Sequence, residues 1–550
     1  MRAIDLYAGI GGWSLGLRLA GVEVVASYEW WKPAIATHNA NHGGGFGPVN
    51  IRELDLDTLP TDIDIVVGSP PCTEFSYANR GGRGNISEGL KDLVCFFKVV
   101  DRIKPRFWAM ENVPRVAEVL RHGFKDPDHV LHEFRHLEPI IEVVDFSDYG
   151  TAQARKRCIA TNIPLELVHS YRAQLPARTL GDVLTALAST DNIVDPIWGV
   201  SLNADDVTET QEEPPLNVEE LRMNREAKEF HPVYNNMAFP DPVKSPARTV
   251  TATCTRVSRE SIVIEDPKRP GQFRRLTIRE RACLQGFPIT YQFFARSFAE
   301  KAKMVGNAIP PTFPYLLVQA ARGIQPDQLA VYAQVGAELE LPAAKAPVTL
   351  PDREGKTYPP SRGFRAAIPG LRFKSGMRFD LSNLVSGSGS AWRVRFFFGS
   401  SKDIREVDLD GGVLRDLRRN PEFASVIDAL GRDFQKARVR LSGTDPDRLQ
   451  LAWSHKATGT GPYEVVDCLG ELAGALEAEL ASALNEVDDD QQALRRIMDY
   501  VLTVASGAEG KAGLIGRGKL ERYALPILAG MIVGDWFNTL DWHVDCKVAA

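Results

Sequence analysis

The 550-residue sequence predicts a doubly wound, Rossmann-like α/β domain followed by a separate α+β unit, and three observations carry that reading. Strand-like apolar runs alternate with helical segments from residue 1 to about 160, the pattern of a sheet covered by helices on both faces. Three unusual loops, one rich in glycine, one with Pro-Pro-Cys and one with Glu-Asn-Val, each follow such a run. In this class of sheet, ligands lie beyond the carboxyl ends of the strands. A Pro- and Ala-rich stretch near residue 340 then marks a change of pattern.

The alternation runs through 2-RAIDLYAG-9, 13-WSLGLRLAGV-22, 22-VEVVASYE-29, 63-IDIVVGS-69, 93-LVCFFKVVDRIKP-105 and 106-RFWAMENV-113. Residues 160–250 lose it and read as an insertion. Patterning resumes at 248-RTVTATC-254 and 275-RLTIRERACLQGFP-288, which completes a first domain at 1–335. Residues 336–362 read as a linker and 363–550 as an accessory domain whose function the residues do not reveal. It contains a strand-like 391-AWRVRFFFG-399, a hairpin-like 438-RVRLSGTDPDRLQLAWS-454 and a helical 464–484.

Composition sets limits. Charged residues make up 25% and apolar ones 44%, and the most apolar stretch, 523-YALPILAGMIVG-534, falls short of the roughly 20 residues a membrane span needs. No export signal is visible at the N-terminus. The seven cysteines, odd in number and without Cys-x-x-Cys, suit a reducing cytoplasm and neither a disulfide framework nor a structural zinc. The net charge of −6 hides an uneven distribution, with nine Lys/Arg against five Asp/Glu in 251–300 and five against ten in 201–250. The acidic run 205-DDVTETQEEPPLNVEE-220 reads as a solvated loop. The basic 256–281 segment reads as a face for phosphates. The string 132-HEFRH-136 fits the helical zinc pattern His-Glu-x-x-His, but no third ligand is evident and no metal is expected.

The glycines of 5-DLYAGIGG-12, between a strand and a helix, let the backbone approach a nucleotide-like ligand. Glu29, at the end of the second strand, is placed to accept hydrogen bonds from ribose hydroxyls. Cys72, between prolines and Phe75-Ser76, is either a buried thiol or a nucleophile.

The order Asp-Leu-Tyr-Ala-Gly-Ile-Gly-Gly, Glu29-Trp30, Pro71-Cys72, Glu111-Asn112-Val113, Gln153-Ala-Arg155-Lys-Arg157, Arg279-Glu280 with Leu284-Gln285-Gly286-Phe287-Pro288, and Gly306-Asn307-Ala308 resembles the C5-cytosine DNA methyltransferases of bacteria and phages, over about 1–320. The resemblance implies transfer of a methyl group from S-adenosylmethionine to carbon 5 of a flipped-out cytosine in duplex DNA. Cys72 would add to carbon 6, and Glu111, in the apolar company of 107-FWAM-110, would be protonated or share a proton with ring nitrogen 3. Arg155 and Arg157 would contact the base or its backbone and help set the electrostatics of the adduct. It further implies a cofactor site of Tyr7, Gly9, Gly11, Gly12, Glu29, Trp30, Leu93 and Asn307, with Asn50-Ile51 where the family has Asp-Ile, and a target-recognition role for 160–250. Thr73 replaces the family's usual Gln. Partners implied are duplex DNA and a restriction endonuclease, acting on a cytoplasmic monomer. Action on transfer RNA and DNA binding without turnover are the alternatives.

Overall fold

The computed structural model describes residues 1–71, 86–229, 237–351, 357–373, 377–386, 389–400, 403–410, 412–419, 421–455, 457–485, 499–501 and 517–540. Cys72, Thr73, Phe75 and Ser76 lie outside them. The chain divides into two compact units, the first covering Met1–Glu229 and Met237–Glu354, the second beginning for the main part at Gly355.

The first unit is built on a six-stranded sheet. Its elements are β1 (Arg2–Leu6), α1 (Gly12–Leu19), β2 (Glu23–Tyr28), α2 (Lys32–His42), β3 (Ile65–Gly68), α3 (Ile86–Ile103), β4 (Phe107–Asn112), α4 (Val116–Gly123), β5 (Ile140–Asp145), the short β6 (Gln153–Ala154) and β7 (Lys156–Thr161). The strand order is β2-β1-β3-β4-β7-β5. β1 to β4 run parallel, and β7 is antiparallel to both β4 and β5. The chain leaves β1 for β2 on one side and returns to β3 on the other, so the switch point falls between β1 and β3, where a crevice opens beyond the strand ends.

Period-two alternation builds two cores. Ile4, Leu6, Val66, Trp108 and Met110 face α3 and α4 through Phe96, Phe97 and Leu120. Ala3, Ile65, Val67 and Ala109 face Trp13, Leu17, Phe313 and Leu317. Both faces are covered, which explains why these strands read as continuous apolar runs.

Residues 160–250 form short helices (Leu165–Ser170, Leu180–Leu187, Val218–Glu229) and a two-stranded ribbon, Asn192–Val194 with Ser201–Asn203. They share a core with the helix Ile278–Leu284 through Leu180, Val183, Ile193, Ala282 and Leu284. Two charge readings are corrected here. Glu209, Glu213 and Glu220 of the acidic run are buried, and so are Arg256, Arg274, Arg275, Arg279 and Arg281 of the basic segment. The two runs are each other's partners: Arg275 meets Glu213 through Nε at 2.8 Å, and Arg256 meets Glu220 at 2.7 Å and Glu213 at 3.2 Å. Buried charges need partners: Glu213 and Glu220 find them in Arg275 and Arg256, whereas Glu209 pairs with Lys301 and Arg274 with Glu280.

The stretch expected as a linker packs in part on the first unit. Ala346 N donates to Gln292 Oε1 at 3.1 Å and Lys301 Nζ to the Pro347 carbonyl at 2.6 Å. In the second unit, four antiparallel strands (Arg365–Arg372, Arg378–Ser386, Gly389–Ser400, Asp403–Asp408) stand in sequence order. Helices Pro462–Asn485 and Arg517–Asn538 pack on them. The hairpin-like 438–454 is instead the end of the helix Gly431–Leu441 and the helix Pro446–His455. Its alternating Arg-Val-Arg-Leu belongs to a helix because the buried pair, Ala437 and Leu441, is spaced by four. Among the described residues no helix is long and apolar enough to cross a membrane.

Candidate active site

The glycine turn, the end of β2, the Pro-Pro segment and the end of β4 converge on the carboxyl rim of the sheet. Tyr7 and Gly9 (φ 54° each) and Gly11 (φ 91°) are left-handed, which bends the chain sharply out of β1. A Cβ on Gly12 would strike the backbone carbonyl of Ile309, so glycine is required there for α1 to lie against the Asn307 segment. Gly12→Ala is therefore expected to lower unfolding stability by about 1–3 kcal/mol, the usual cost of overpacking, and to weaken cofactor binding with it. Thermal denaturation and titration calorimetry check both.

Glu29 organises the rim. Its Oε2 accepts from Gly9 N at 3.0 Å, and its Oε1 accepts from Trp30 N and Trp31 N at 2.8 and 2.9 Å. A carboxylate offers about four acceptor sites, so these three N–H groups leave room for a hydroxyl of a bound ribose. The Trp30 indole beside it is 70% exposed, an apolar face ready for a planar ring. Glycines that admit close approach, an acceptor with a spare lone pair and an uncovered indole fit an adenosine-bearing cofactor. Tyr7 donates its hydroxyl to Asp92 Oδ1 at 3.2 Å, and the burial and the neighbouring carboxylate push its phenol well above the ordinary range. Asn50 and Ile51 stand next to the β2 end, where Val49 N donates to Glu29 O at 2.8 Å. Asn307 closes the helix Phe298–Asn307 and is exposed.

Leu93 is a correction. It is fully buried in the α3 core and has no accessible surface to offer a ligand. An apolar residue of an amphipathic helix next to a motif is as readily core as site.

On β4, Glu111 is 5% exposed, and its Oε1 lies 3.0 Å from Arg157 Nε. To the buried apolar Trp108, Ala109 and Met110 before it the structure adds a charged partner, Arg157, for this carboxyl. β4 and β7 set this up, because Glu111 stands opposite Ile159 in an antiparallel pair and Arg157 is its same-face diagonal neighbour. Arg157 also donates NH1 to the Lys156 carbonyl at 2.7 Å, which aims the guanidinium.

Arg155 does something else. It is 1% exposed, and it donates to the carbonyls of Val250 (3.0 Å), Gly306 (3.0 Å) and Ala308 (3.1 Å). These bonds fix the turn on both sides of Asn307. Gln153 works alongside, accepting from Val250 N at 2.8 Å and donating to the Leu284 carbonyl at 3.2 Å. Gln153 and Arg155 brace this turn, and Arg157 is the member of the motif that lies on Glu111.

Asn112, given no role from sequence, donates Nδ2 to the Pro70 carbonyl at 3.1 Å and so holds the segment leading into Cys72 against the end of β4. Trp13 Nε1 secures the same segment through Ser69 Oγ at 3.0 Å. Asn112 was visible in Glu-Asn-Val only as a letter; its partner is a backbone atom, which no sequence displays.

The His-Glu-x-x-His string lies on a 3-10 helix, Val130–Leu137. With three residues per turn, its histidines do not share a face. His132 contacts the Phe124 carbonyl at 3.0 Å and His136 contacts Asp101 at 2.7 Å. Among the described residues no cluster of three or more metal-binding side chains occurs.

Comparison with known proteins agrees with the geometry. The family described as C-5 cytosine-specific DNA methylase matches residues 1–320. The chain belongs to this family. It is similar to the Type II methyltransferase M.FnuDI of Fusobacterium nucleatum, 27% identical over 356 residues, covering 61% of this chain and 98% of the relative. It is likewise similar to M.HindV of Haemophilus influenzae, 28% identical and covering 56% of this chain and 92% of the relative. M.HgiDI of Herpetosiphon aurantiacus is 28% identical, with 58% and 93% covered. This methylase is thus a DNA (cytosine-5) methyltransferase, and methyl transfer in the family draws on S-adenosylmethionine. The matched region ends near residue 320, so the second unit of the methylase is additional to the family domain.

Proposed function

We propose that the methylase acts on a cytosine swung out of duplex DNA, with Cys72 as nucleophile and Glu111 and Arg157 as the groups that meet the base. The observation that carries this reading is the Glu111 and Arg157 pair, 3.0 Å apart across β4 and β7, with the residue after Glu111, Asn112, holding Pro70. Extruding the base costs a few kcal/mol of unstacking, offset by contacts in the pocket.

The Cys72 thiolate adds to carbon 6, and the ring becomes nucleophilic at carbon 5. Glu111, which takes up a proton from solvent as the base enters, gives that proton to ring nitrogen 3, and this relieves the charge that develops on addition. Arg157 holds that carboxyl in place and stabilises the base oxygen beside it. S-adenosylmethionine, when bound, supplies the methyl group to carbon 5. The carbon-5 proton then leaves to a base, the electron pair re-forms the double bond and expels Cys72. Gly9, Gly11 and Gly12 would border the cofactor, Glu29 would accept from its ribose, Trp30 would offer its indole to the adenine, and Tyr7, Asn50, Ile51 and Asn307 would complete the surround. Arg155 is a positioning residue.

Residues 160–250 read neighbouring bases, and the Type II names of the relatives support a cognate restriction endonuclease as partner of a cytoplasmic monomer. The test is transfer of a labelled methyl group to duplex DNA and, in parallel, to transfer RNA, with sequencing of the modified cytosines. Label at cytosine carbon 5 in a fixed DNA sequence is expected. Label in RNA alone, or none in either, overturns the reading.

A further inference from the structure

Of the buried arginines in the 256–281 segment, all but one find their partners inside the first unit. Arg256 meets Glu220 and Glu213, Arg274 meets Glu280, and Arg275 meets Glu213. Arg279 donates to the carbonyls of Thr208, Pro288 and Tyr291 and to the Thr208 hydroxyl. Arg281 is different. It is 1% exposed, and among the described residues its side chain makes one hydrogen bond, from Nη2 to the Thr251 carbonyl at 2.6 Å, with no carboxylate partner. Its Nε is buried without an acceptor. A guanidinium carries five N–H donors and a full charge, so most of what this one offers is unused. Burial lowers its pKa from the ordinary arginine value; the Cys254 thiol opposes this and Arg275 adds to it.

Arg281 lies against the loop Thr251–Thr255. It holds the Thr251 carbonyl, and Arg275 Nη1 holds the Cys254 carbonyl at 2.6 Å. Thr253 and Thr255 of this loop are exposed. The loop also borders the candidate site: a Cβ on Gly306 would strike the Thr251 carbonyl, and Arg155 bridges the carbonyls of Val250 and Gly306. A buried charge without a carboxylate partner is weakly screened, so its field reaches the nearest surface. An anion is attracted there.

We propose that Arg281 is the counter-charge for a backbone phosphate of duplex DNA that docks on the Thr251–Thr255 loop. The proposal rests on duplex DNA being the substrate. Such a substrate brings an anion at every step of its backbone, and one phosphate on this loop completes the pairing that the folded chain leaves open, as Glu213 does for Arg275. An unpartnered buried charge destabilises the free protein, and that cost is offset when DNA binds. A phosphate carries no base identity, so the contact serves affinity and register and acts alike on every sequence.

The experiment is binding of a mixed-sequence duplex to the full chain, saturated with S-adenosylhomocysteine, from about 50 to about 200 mM salt. Thermal denaturation and calorimetric binding of S-adenosylhomocysteine run in parallel. The variants are Arg281→Met, which fills the space without charge, and Arg281→Lys, which keeps the charge. Removing one phosphate contact lowers the slope of log affinity against log salt by about 0.9, so the affinity deficit of Arg281→Met should shrink roughly 3.5-fold over that salt range. Its melting temperature should equal or exceed the parent's, because an apolar side chain replaces an unpartnered charge. Its affinity for S-adenosylhomocysteine should not change, and Arg281→Lys should keep the parent's slope. If Arg281→Met keeps the parent's slope, Arg281 is only a brace of the loop and the proposal is overturned. If Arg281→Met melts lower and loses slope together, Arg281→Lys decides: the parent's slope there upholds the proposal, and a lowered one overturns it. Weakened S-adenosylhomocysteine binding with the DNA slope kept would make the cofactor's carboxylate the anion and overturn it too. A parent that binds no duplex sinks the reading of the substrate, and the proposal with it.

Discussion

Replacing Cys72 by Ala should reduce methyl transfer to background, a loss on the order of 10⁶-fold by analogy with removal of the nucleophile from a covalent enzyme. The same protein should bind S-adenosylhomocysteine within about twofold of the parent, since every proposed cofactor contact lies on the glycine turn, the residues just after β2, the Asn50 segment or at Asn307. Arg157→Ala should be milder, about 10²–10³-fold in kcat, the range for losing one electrostatic stabiliser. A mechanism-based trap sharpens the test. DNA carrying 5-fluorocytosine, whose carbon-5 substituent cannot leave as a proton, should form a stable covalent complex with the parent and none with Cys72→Ala. Covalent complex in the variant, or retained turnover, would sink the role of Cys72.

The second large effect is on stability. Glu213 is 4% exposed and lies within 2.9 Å of Arg275 Nε and 3.2 Å of Arg256. Glu213→Ala removes the carboxylate that two buried guanidiniums share, and breaking such a set costs about 3–5 kcal/mol. Chemical denaturation followed by tryptophan fluorescence should show the midpoint of the first unit's transition move down with its slope unchanged. A change under about 1 kcal/mol would mean that water reaches the set and that the pairing is not what holds the inserted region. Replacing Glu213 and Arg275 together by Leu and Met should recover much of the loss, because an apolar pair leaves no charge to compensate.

These two effects mark where sequence reasoning reached and where it stopped. The doubly wound sheet was legible because parallel strands buried on both faces are spelled as apolar runs, and because the glycine turn, Glu29 and Glu111 each follow one. The separation of roles between Arg155 and Arg157 was not. Both stand in the same motif, and only the register of β4 against β7 puts Arg157 on Glu111 while Arg155 turns inward to three carbonyls. Leu93 failed for a similar reason: an amphipathic helix carries many leucines, and only burial tells which one has surface left.

From its sequence alone, this protein is determined as a cytosine-5 methylase domain with a second unit attached, because residue order along a rim of strand ends is written in the chain. The charge runs at 205–220 and 256–281 looked like a solvated loop and a phosphate face because each, taken alone, would have to remain in water. The tertiary structure brought them together, with Glu213 on Arg275 and Glu220 on Arg256. A buried charge needs an opposite charge or a set of hydrogen-bond partners, and for Glu213 and Arg275 that partner is supplied by a contact between residues some sixty apart in the chain.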